Sequence, residues 1–190
     1  MNINSQGHLC IIGEQFVCIC VITKYSKIQL KERKYLINTY YYYTSLGKIT
    51  IVQEENYITK IYFGESKEVN SNNIETELIK DAKIQIEEYL NGKRKKFNLP
   101  INPKGTEFQK KVWKSLMKIP YGKTLSYKEI ANFIGNKNAS RAVGMANNKN
   151  PILIVIPCHR VIGSNGNLIG YAGGIDMKQK LLNIEKENTL

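Results

Sequence analysis

The sequence has no apolar run long enough to cross a membrane. Its longest candidate, residues 9–22, is interrupted by Gly13, Glu14 and Gln15, whereas a membrane-spanning helix needs about 20 consecutive apolar residues. No basic segment precedes this run, so it lacks the pattern of a secretory signal peptide. We therefore expect a globular protein with no membrane partner.

Cysteine is scarce, and its four copies are unevenly distributed. Cys10, Cys18 and Cys20 lie near the N-terminus, whereas Cys158 stands alone. This spacing forms no disulfide framework and indicates a reducing, cytoplasmic environment. His8 and the three N-terminal cysteines could supply four zinc ligands, but their spacing matches no established zinc motif. Small buried thiols are the alternative that we favour, so no metal site is expected.

Acidic residues are outnumbered, with 16 Asp and Glu against 28 Lys and Arg and a net charge of +12. Most of the excess lies in residues 104–190, which hold 14 basic and 5 acidic residues and so carry +9. A charge of this size favours polyanionic partners, and nucleic acid is the first candidate. A solvated basic face is the alternative explanation.

The first half of the chain predicts a small sheet followed by a helix. Three strand-like segments follow one another across short turns: residues 40–44, 49–53 and 58–63. Apolar residues then recur at helical spacing over residues 74–90. We expect residues 39–99 to form an N-terminal α/β lobe, preceded by an extension, residues 1–38, that carries no motif.

Residues 100–190 predict a mostly helical domain. Two residue pairs have the spacing of a capping box, which marks a helix start: Thr106 with Gln109, and Ser126 with Glu129. Two short helices, over residues 126–134 and 139–147, are joined by a tight turn and form a helix-turn-helix candidate. An ordinary packed helix pair is the alternative. With a last helix over residues 176–187, the whole chain is predicted to be α+β.

The most informative stretch is the apolar run at residues 154–156, which ends on Pro157, Cys158, His159 and Arg160. Its Val and Ile residues favour a short strand, and proline ends the strand because it has no N–H to donate. A thiol is a nucleophile only as the thiolate, which nearby histidine and cationic groups promote. A buried structural cysteine beside a surface histidine is the alternative.

A glycine-rich loop, residues 163–174, follows this stretch. It lacks the strand and helix that flank phosphate-binding glycine loops, so we predict the flexible wall of a pocket and no bound cofactor.

Several motifs of the second half occur together in one known family: Gly105-Thr106-Glu107-Phe108-Gln109, Val112-Trp113, Ile119-Pro120-Tyr121-Gly122, Ser126-Tyr127, Arg141-Ala142-Val143-Gly144, Asn150-Pro151 and Pro157-Cys158-His159-Arg160-Val161. On these residues the chain strongly resembles the methylated-DNA–protein-cysteine methyltransferases, which repair O6-alkylguanine in DNA directly. The clear match covers residues 100–187, and a weaker one covers residues 40–99.

The resemblance implies a monomer that binds the minor groove of double-stranded DNA and flips the damaged base into a pocket. It implies irreversible alkyl transfer from O6-alkylguanine, and from O4-alkylthymine, to Cys158 in a single turnover. His159 resembles the base that acts through a water, and Glu185 the acid that orients it. Asn150 resembles the residue that braces the active-site turn. Tyr127 resembles the DNA-binding residue that crowds the phosphate of the flipped nucleotide and donates a proton to the base.

The resemblance also assigns residues to DNA and substrate. Arg141 resembles the side chain that fills the vacated stack, on a helix kept slim by Ala139, Ala142 and Gly144. The implied substrate-pocket residues are Met145, Val161, Tyr171, Ala172 and Lys178. Within this pocket, the carbonyls of Cys158 and Val161 match the groups that recognise the guanine amine. Ala172 stands where some members carry a serine that hydrogen-bonds the guanine oxygen, so that contact is expected from the backbone alone.

Two other function classes fit parts of the pattern. A relative that recognises damage without repairing it would lack the acceptor cysteine, whereas Cys158 is present. A Cys-His hydrolase brings its two residues together from distant positions, whereas adjacent Cys and His side chains usually point apart.

Overall fold

The computed structural model describes residues 9–12, 15–18, 37–65 and 71–189. The chain divides into two compact units, residues 1–36 and 37–190. In the first unit, β1 (Leu9–Ile12) pairs antiparallel with β2 (Gln15–Cys18). Of the alternative zinc ligands, His8 and Cys20 lie outside the described residues, as do the side chains of Cys10 and Cys18.

The second unit begins with the three-stranded antiparallel sheet that the sequence predicts. Its strands are β3 (Ile37–Thr44), β4 (Gly47–Glu54) and β5 (Tyr57–Phe63), in that order across the sheet. Because β4 is central, its residues 49–53 are all buried. Tyr41 and Tyr43 on the edge strand β3 are exposed, so the tyrosine run supplies sheet surface.

Helix α1 (Glu77–Leu90) follows the sheet and packs on it. The Thr76 side chain caps its start by accepting a hydrogen bond from Ile79 N at 3.2 Å. The helix therefore begins three residues later than the apolar pattern suggests, and Ile74 is exposed before it. The buried face of α1 includes Ile79, Ala82, Ile86 and Tyr89.

Four further helices form the rest of the unit: α2 (Glu107–Leu116), α3 (Tyr127–Phe133), α4 (Ser140–Asn148) and α5 (Ile175–Glu187). Both predicted capping boxes are present, at the starts of α2 and α3. The buried Trp113 of α2 donates from Nε1 to Ala146 O at 2.9 Å and so anchors α4. In the part of the chain that the structure describes, no helix is both long and apolar enough to cross a membrane.

The α+β class is confirmed, but the short strand predicted before Cys158 is absent. Residues 151–157 form turns, in which Ile152 makes one isolated bridge to Ile61. The turn is stabilised by Asn150, whose Oδ1 accepts from Ile152 N at 3.0 Å and whose Nδ2 donates to Ile156 O at 2.7 Å. These side-chain hydrogen bonds take the place of the backbone hydrogen bonds between strands. The apolar residues of the run are buried in the core, so they do not need a strand to be removed from water.

Cys158–Arg160 form a single 3-10 turn, and the strand comes after it. There β7 (Val161–Ile162) pairs in parallel with β6 (Leu125–Ser126). The Cys-His pair therefore lies between a side-chain-stabilised turn and a short strand, and both ends of the 3-10 turn are held.

Strand β5 joins the sheet to the segment that carries Cys158. Ile61 N donates to Pro151 O at 2.9 Å, and Leu153 N donates to Ile61 O at 2.9 Å. Core residues from the sheet, from α1 and from the later helices pack in one continuous cluster. The division between residues 39–99 and 100–190 stays a prediction.

Candidate active site

Cys158 is fully buried at the start of the 3-10 turn. Asn150 Nδ2 donates to its Sγ at 3.0 Å, while the same amide stabilises the preceding turn through Ile156 O. One asparagine therefore holds the backbone and also places a donor on the sulfur. A donor at this position stabilises negative charge on Sγ.

His159 and Glu185 form a buried pair beside this turn. His159 Nε2 lies 2.9 Å from Glu185 Oε1, although the two residues are 26 apart in the chain. His159 Nδ1 has no hydrogen-bond partner among the described residues. The imidazole thus has one nitrogen engaged with the acid and the other available.

Glu185 also accepts hydrogen bonds from three further residues. Arg160 donates from Nη2 at 2.8 Å and from Nε at 3.0 Å to Oε1, and its Nη1 donates to Ile119 O at 2.7 Å. Gly122 N donates to Oε2 at 2.9 Å. Tyr89 donates its hydroxyl to Oε1 at 2.6 Å. A buried carboxylate with this many donors is fully satisfied, so it remains charged.

The ionisation states at rest differ from the expectation of a thiol with a low pKa. Burial raises the pKa of Cys158 to about 11, although the Asn150 hydrogen bond and the Lys178 charge oppose it. Burial lowers the pKa of His159, with Glu185 opposing. Burial alone would raise the pKa of Glu185, but bonds from His159 and Arg160 outweigh it and hold the pKa at about 2. At rest the thiol and the imidazole are therefore both neutral, and the imidazole lies beside a carboxylate.

Two tyrosines lie close enough to Cys158 for its charge to act on them. Burial raises the pKa of Tyr127 and of Tyr171, and negative charge on Cys158 raises both further. Tyr127 donates its hydroxyl to Ile169 O at 2.7 Å, across the glycine-rich loop. The hydroxyl of the buried Tyr171 has no partner within the described part of the chain. Ala172, the next residue, is exposed.

The two carbonyls expected to recognise the guanine amine are already bonded by the protein's own donors. Val161 O accepts from Lys178 Nζ at 2.5 Å, and Cys158 O accepts from Asn147 Nδ2 at 3.2 Å. A carbonyl oxygen has two lone pairs, and Cys158 O uses the second to accept from Val161 N, so recognition of the guanine amine by this oxygen would require one of its two donors to give way. The fully buried Lys178 also donates to Ile169 O at 3.0 Å, so it braces the loop rather than only lining a pocket.

Helix α4 presents a narrow exposed strip. Arg141 is exposed, and Met145, one turn later, is 64% exposed. Met145 was expected in the substrate pocket and lies instead on this outer strip. Ala142 and Gly144 are half-buried, and a Cβ on Gly144 would lie 3.7 Å from the Tyr127 ring. Small residues here let α4 pack closely on α3.

Ala139 does not lie on this strip. It is the N-cap residue of α4, it is only 8% exposed, and it belongs to the hydrophobic core cluster. Its methyl group is therefore engaged inside the protein, and the expected contact of this position with DNA stays a prediction.

Two family models cover most of this unit. The DNA-binding domain of 6-O-methylguanine DNA methyltransferases matches residues 107–187, and the ribonuclease-like domain of the same proteins matches residues 37–103.

The chain belongs to the 6-O-methylguanine DNA methyltransferase family.

Relatives of this methyltransferase family are similar over most of the chain. The methylated-DNA–protein-cysteine methyltransferase of Methanosarcina acetivorans is 49% identical over 144 residues, which cover 74% of this chain and 92% of that protein. The constitutive enzyme of Bacillus subtilis is 46% identical over 151 residues, covering 75% and 92%. The crystal structure of Mycobacterium tuberculosis OGT in complex with DNA superposes with a TM-score of 0.75 at 39% identity, covering 80% of this chain and 94% of that one.

For this member of the methyltransferase family, sequence reasoning missed most of the donors around Glu185. Tyr89, Gly122 and Arg160 lie 96, 63 and 25 residues away from it in the chain. No local spacing links residues at such separations. Arg160, adjacent to His159 in the motif, offered the only signal, and the sequence assigned it just a positive charge.

Proposed function

We propose that this protein repairs O6-alkylguanine, and O4-alkylthymine, in double-stranded DNA by moving the alkyl group to Cys158. The observation that carries the proposal is the buried arrangement of a free thiol, the Asn150 donor and the His159–Glu185 pair. Membership of the 6-O-methylguanine DNA methyltransferase family supports it. The names of relatives, which describe methyl transfer from DNA to a protein cysteine, support the same reaction.

The transfer is a displacement at the alkyl carbon. His159 Nδ1 accepts the thiol proton through a water, and the resulting thiolate Sγ forms a bond to the alkyl carbon. The bond from that carbon to the base oxygen breaks, and its electron pair stays with the base. Tyr127 supplies the proton that neutralises the departing base. The thioether on Cys158 is stable, so each protein molecule reacts once.

The neutral resting state suits this sequence of events. The raised pKa keeps Cys158 as a thiol, which is a poor nucleophile toward other electrophiles. The lowered pKa keeps His159 unprotonated and able to accept a proton. When that proton arrives, the charged Glu185 stabilises the imidazolium. Nucleophile, base and acid are all side chains, so the reaction needs no cofactor.

The DNA is proposed to bind in its minor groove against helix α4. The net charge of +9 over residues 104–190 supplies attraction to phosphates. A base inside a duplex conceals its O6 substituent, so the lesion must be flipped out, at a cost of a few kcal/mol. The exposed Arg141 would fill the vacated stack and offset part of this cost. A monomer suffices for this geometry.

A cytoplasmic location is proposed as well, because the reaction requires a reduced thiol. Cys158 is a free cysteine in the structure.

Intact mass measurement tests the proposed function directly. The protein is incubated with an excess of duplex DNA that carries O6-methylguanine, and its mass should rise by one methyl group. Cys158→Ala should show no increase, and Asn150→Ala should react more slowly because the sulfur loses its donor. Removal of several lesions by each protein molecule would contradict the proposal.

A further inference from the structure

The hydroxyl of Tyr89 lies within hydrogen-bond distance of both members of the His159–Glu185 pair. It donates to Glu185 Oε1 at 2.6 Å and lies 3.1 Å from His159 Nε2. Tyr89 is fully buried on α1, outside the DNA-binding domain match. Its ring is fixed by Phe97 and Tyr121, whose ring centroids lie 5.3 and 5.9 Å away.

The number of available protons determines how these three groups are connected. A carboxylate can only accept, so the single Tyr89 proton goes to Glu185. The Tyr89 oxygen can then only accept from His159. His159 Nε2 therefore has two acceptors, Glu185 Oε1 at 2.9 Å and the Tyr89 oxygen at 3.1 Å, and no donor. The proton of a neutral imidazole must lie on Nε2, and the lone pair lies on Nδ1.

Glu185 alone holds this proton weakly, because Arg160 competes for the same oxygen. Arg160 Nη2 and Nε lie 2.8 and 3.0 Å from Oε1. A second acceptor next to Oε1 keeps the Nε2 proton engaged while Arg160 is paired. Burial and the Glu185 charge raise the pKa of Tyr89 well above its ordinary value, so the hydroxyl keeps its own proton.

We propose that Tyr89 is a positioning residue for alkyl transfer, which fixes His159 with the proton on Nε2 and the lone pair of Nδ1 free for the thiol proton. This inference rests on the proposed function, and it assigns a role in the chemistry to the N-terminal part of the unit. Tyr89 touches neither the base nor Sγ; it acts through His159. The charged imidazolium that follows proton transfer keeps both acceptors for its Nε2–H.

Tyr89→Phe tests the role, because it removes only the hydroxyl and keeps the packed ring. Transfer to Cys158 should slow by about tenfold, the lower end of what loss of an orienting partner costs. Duplex affinity should not change. Tyr121→Phe is the matched control: among the residues that the structure describes, the Tyr121 hydroxyl makes one hydrogen bond, to Ile184 O at 3.5 Å, and its ring packs beside Tyr89. The control should transfer at the normal rate.

Nitrogen-15 spectra of labelled histidine give a readout that a merely structural role would not move. The chain has two histidines, His8 and His159, so a His8→Gln background leaves the signals of His159 alone. Wild-type His159 should carry its proton on Nε2, and Tyr89→Phe should raise the fraction with the proton on Nδ1. A wild-type proton on Nδ1 would overturn the proposal, even if Tyr89→Phe fails to fold.

A double-mutant cycle separates positioning from packing. In a His159→Gln background, Tyr89→Phe should have no further effect on the transfer rate, because the residue through which it acts is gone. An equal slowing in both backgrounds would overturn the proposal. If the wild-type protein gains no alkyl mass at all, the proposed function fails, whereas normal wild-type transfer with an unaffected Tyr89→Phe defeats this inference alone.

Discussion

At the scale of single residues, the nucleophile Cys158 is a neutral thiol in the resting protein. Burial raises the pKa of Cys158 from 9.0 to about 11 in spite of a nearby lysine and an amide donor. We expect a pH titration of thiolate absorbance to show ionisation of Cys158 only near that value. The difference between wild type and Cys158→Ala isolates this thiol from the other three cysteines. A Cys158 thiolate at neutral pH would contradict the neutral resting state.

The charge of Glu185 contributes to stability. Its pKa falls from 4.5 to about 2 on folding, so its stabilising contribution is present above pH 4.5 and is lost as pH falls towards 2. Glu185→Gln leaves Arg160 buried without a counter-charge, and such loss costs about 3 to 5 kcal/mol. We expect denaturant unfolding to show the variant less stable at neutral pH.

The same variant should also lose less stability than wild type as the pH is lowered from 4.5 towards 2. Glu187→Gln is the matched control, since Glu187 is exposed on the same helix α5. It should unfold like wild type across the range. If Glu185→Gln lost as much stability as wild type between pH 4.5 and pH 2, the acid dependence of stability would arise from other groups.

At the scale of elements, what the sequence predicts depends on how local the signal is. Thr106 and Ser126 predict the starts of two helices correctly, because a capping box spans only four residues and can be recognised from the local sequence. The apolar run before Cys158 suggested a strand, since β-branched residues favour both strands and buried turns. The side-chain amide of Asn150 stabilises the turn through two hydrogen bonds. Residue propensities do not include such hydrogen bonds, so they do not distinguish the turn from a strand.

The same distinction holds for the site. Cys158 and His159 are found from sequence because they are adjacent in a motif. Tyr89 is not, because its partner Glu185 lies 96 residues away. The burial of Ala139 and the exposure of Met145 were not foreseen for a related reason: which face of α4 is buried depends on the core that it packs against, including Trp113, and not on the residue types of the helix alone.

Helix α4 carries the next prediction. Arg141→Ala should slow repair in duplex DNA much more than reaction with free O6-alkylguanine, because a gap-filling side chain matters only when a stack is opened. For each ~1.4 kcal/mol of gap-filling free energy that is lost, the transfer rate on duplex DNA should fall tenfold. Comparison of single-turnover rates on the two substrates measures it.

Lys137→Ala provides the control for charge. Lys137 is an exposed cation in the turn before α4, so its removal takes away the same charge without touching the exposed strip. It should weaken duplex binding modestly and leave the ratio of the two rates unchanged. If Arg141→Ala slowed the reactions with duplex DNA and with free O6-alkylguanine equally, Arg141 would have no gap-filling role.

At the scale of the whole molecule, the described residues of the site lie within residues 37–190, which form a unit of their own. Cys158, His159, Glu185 and Tyr89 all belong to this unit, and both family models match inside it. The sequence predicted an extension that ends at residue 38. Strand β3 begins at Ile37, so residues 37 and 38 of that predicted extension lie in the sheet.

Deletion of residues 1–36 should therefore leave alkyl transfer at its normal rate, and deletion of residues 1–38 should lower stability. Ile37 pairs with Glu54 and Asn38 with Gln53 at the start of the sheet, and Asn72 N donates to Ile37 O at 2.9 Å. Each lost backbone hydrogen bond costs about 1 kcal/mol. Denaturant midpoints and single-turnover rates of the two truncated chains compare the boundaries. A folded chain that starts at Ile37 and has lost transfer activity would show that residues 1–36 take part in the reaction.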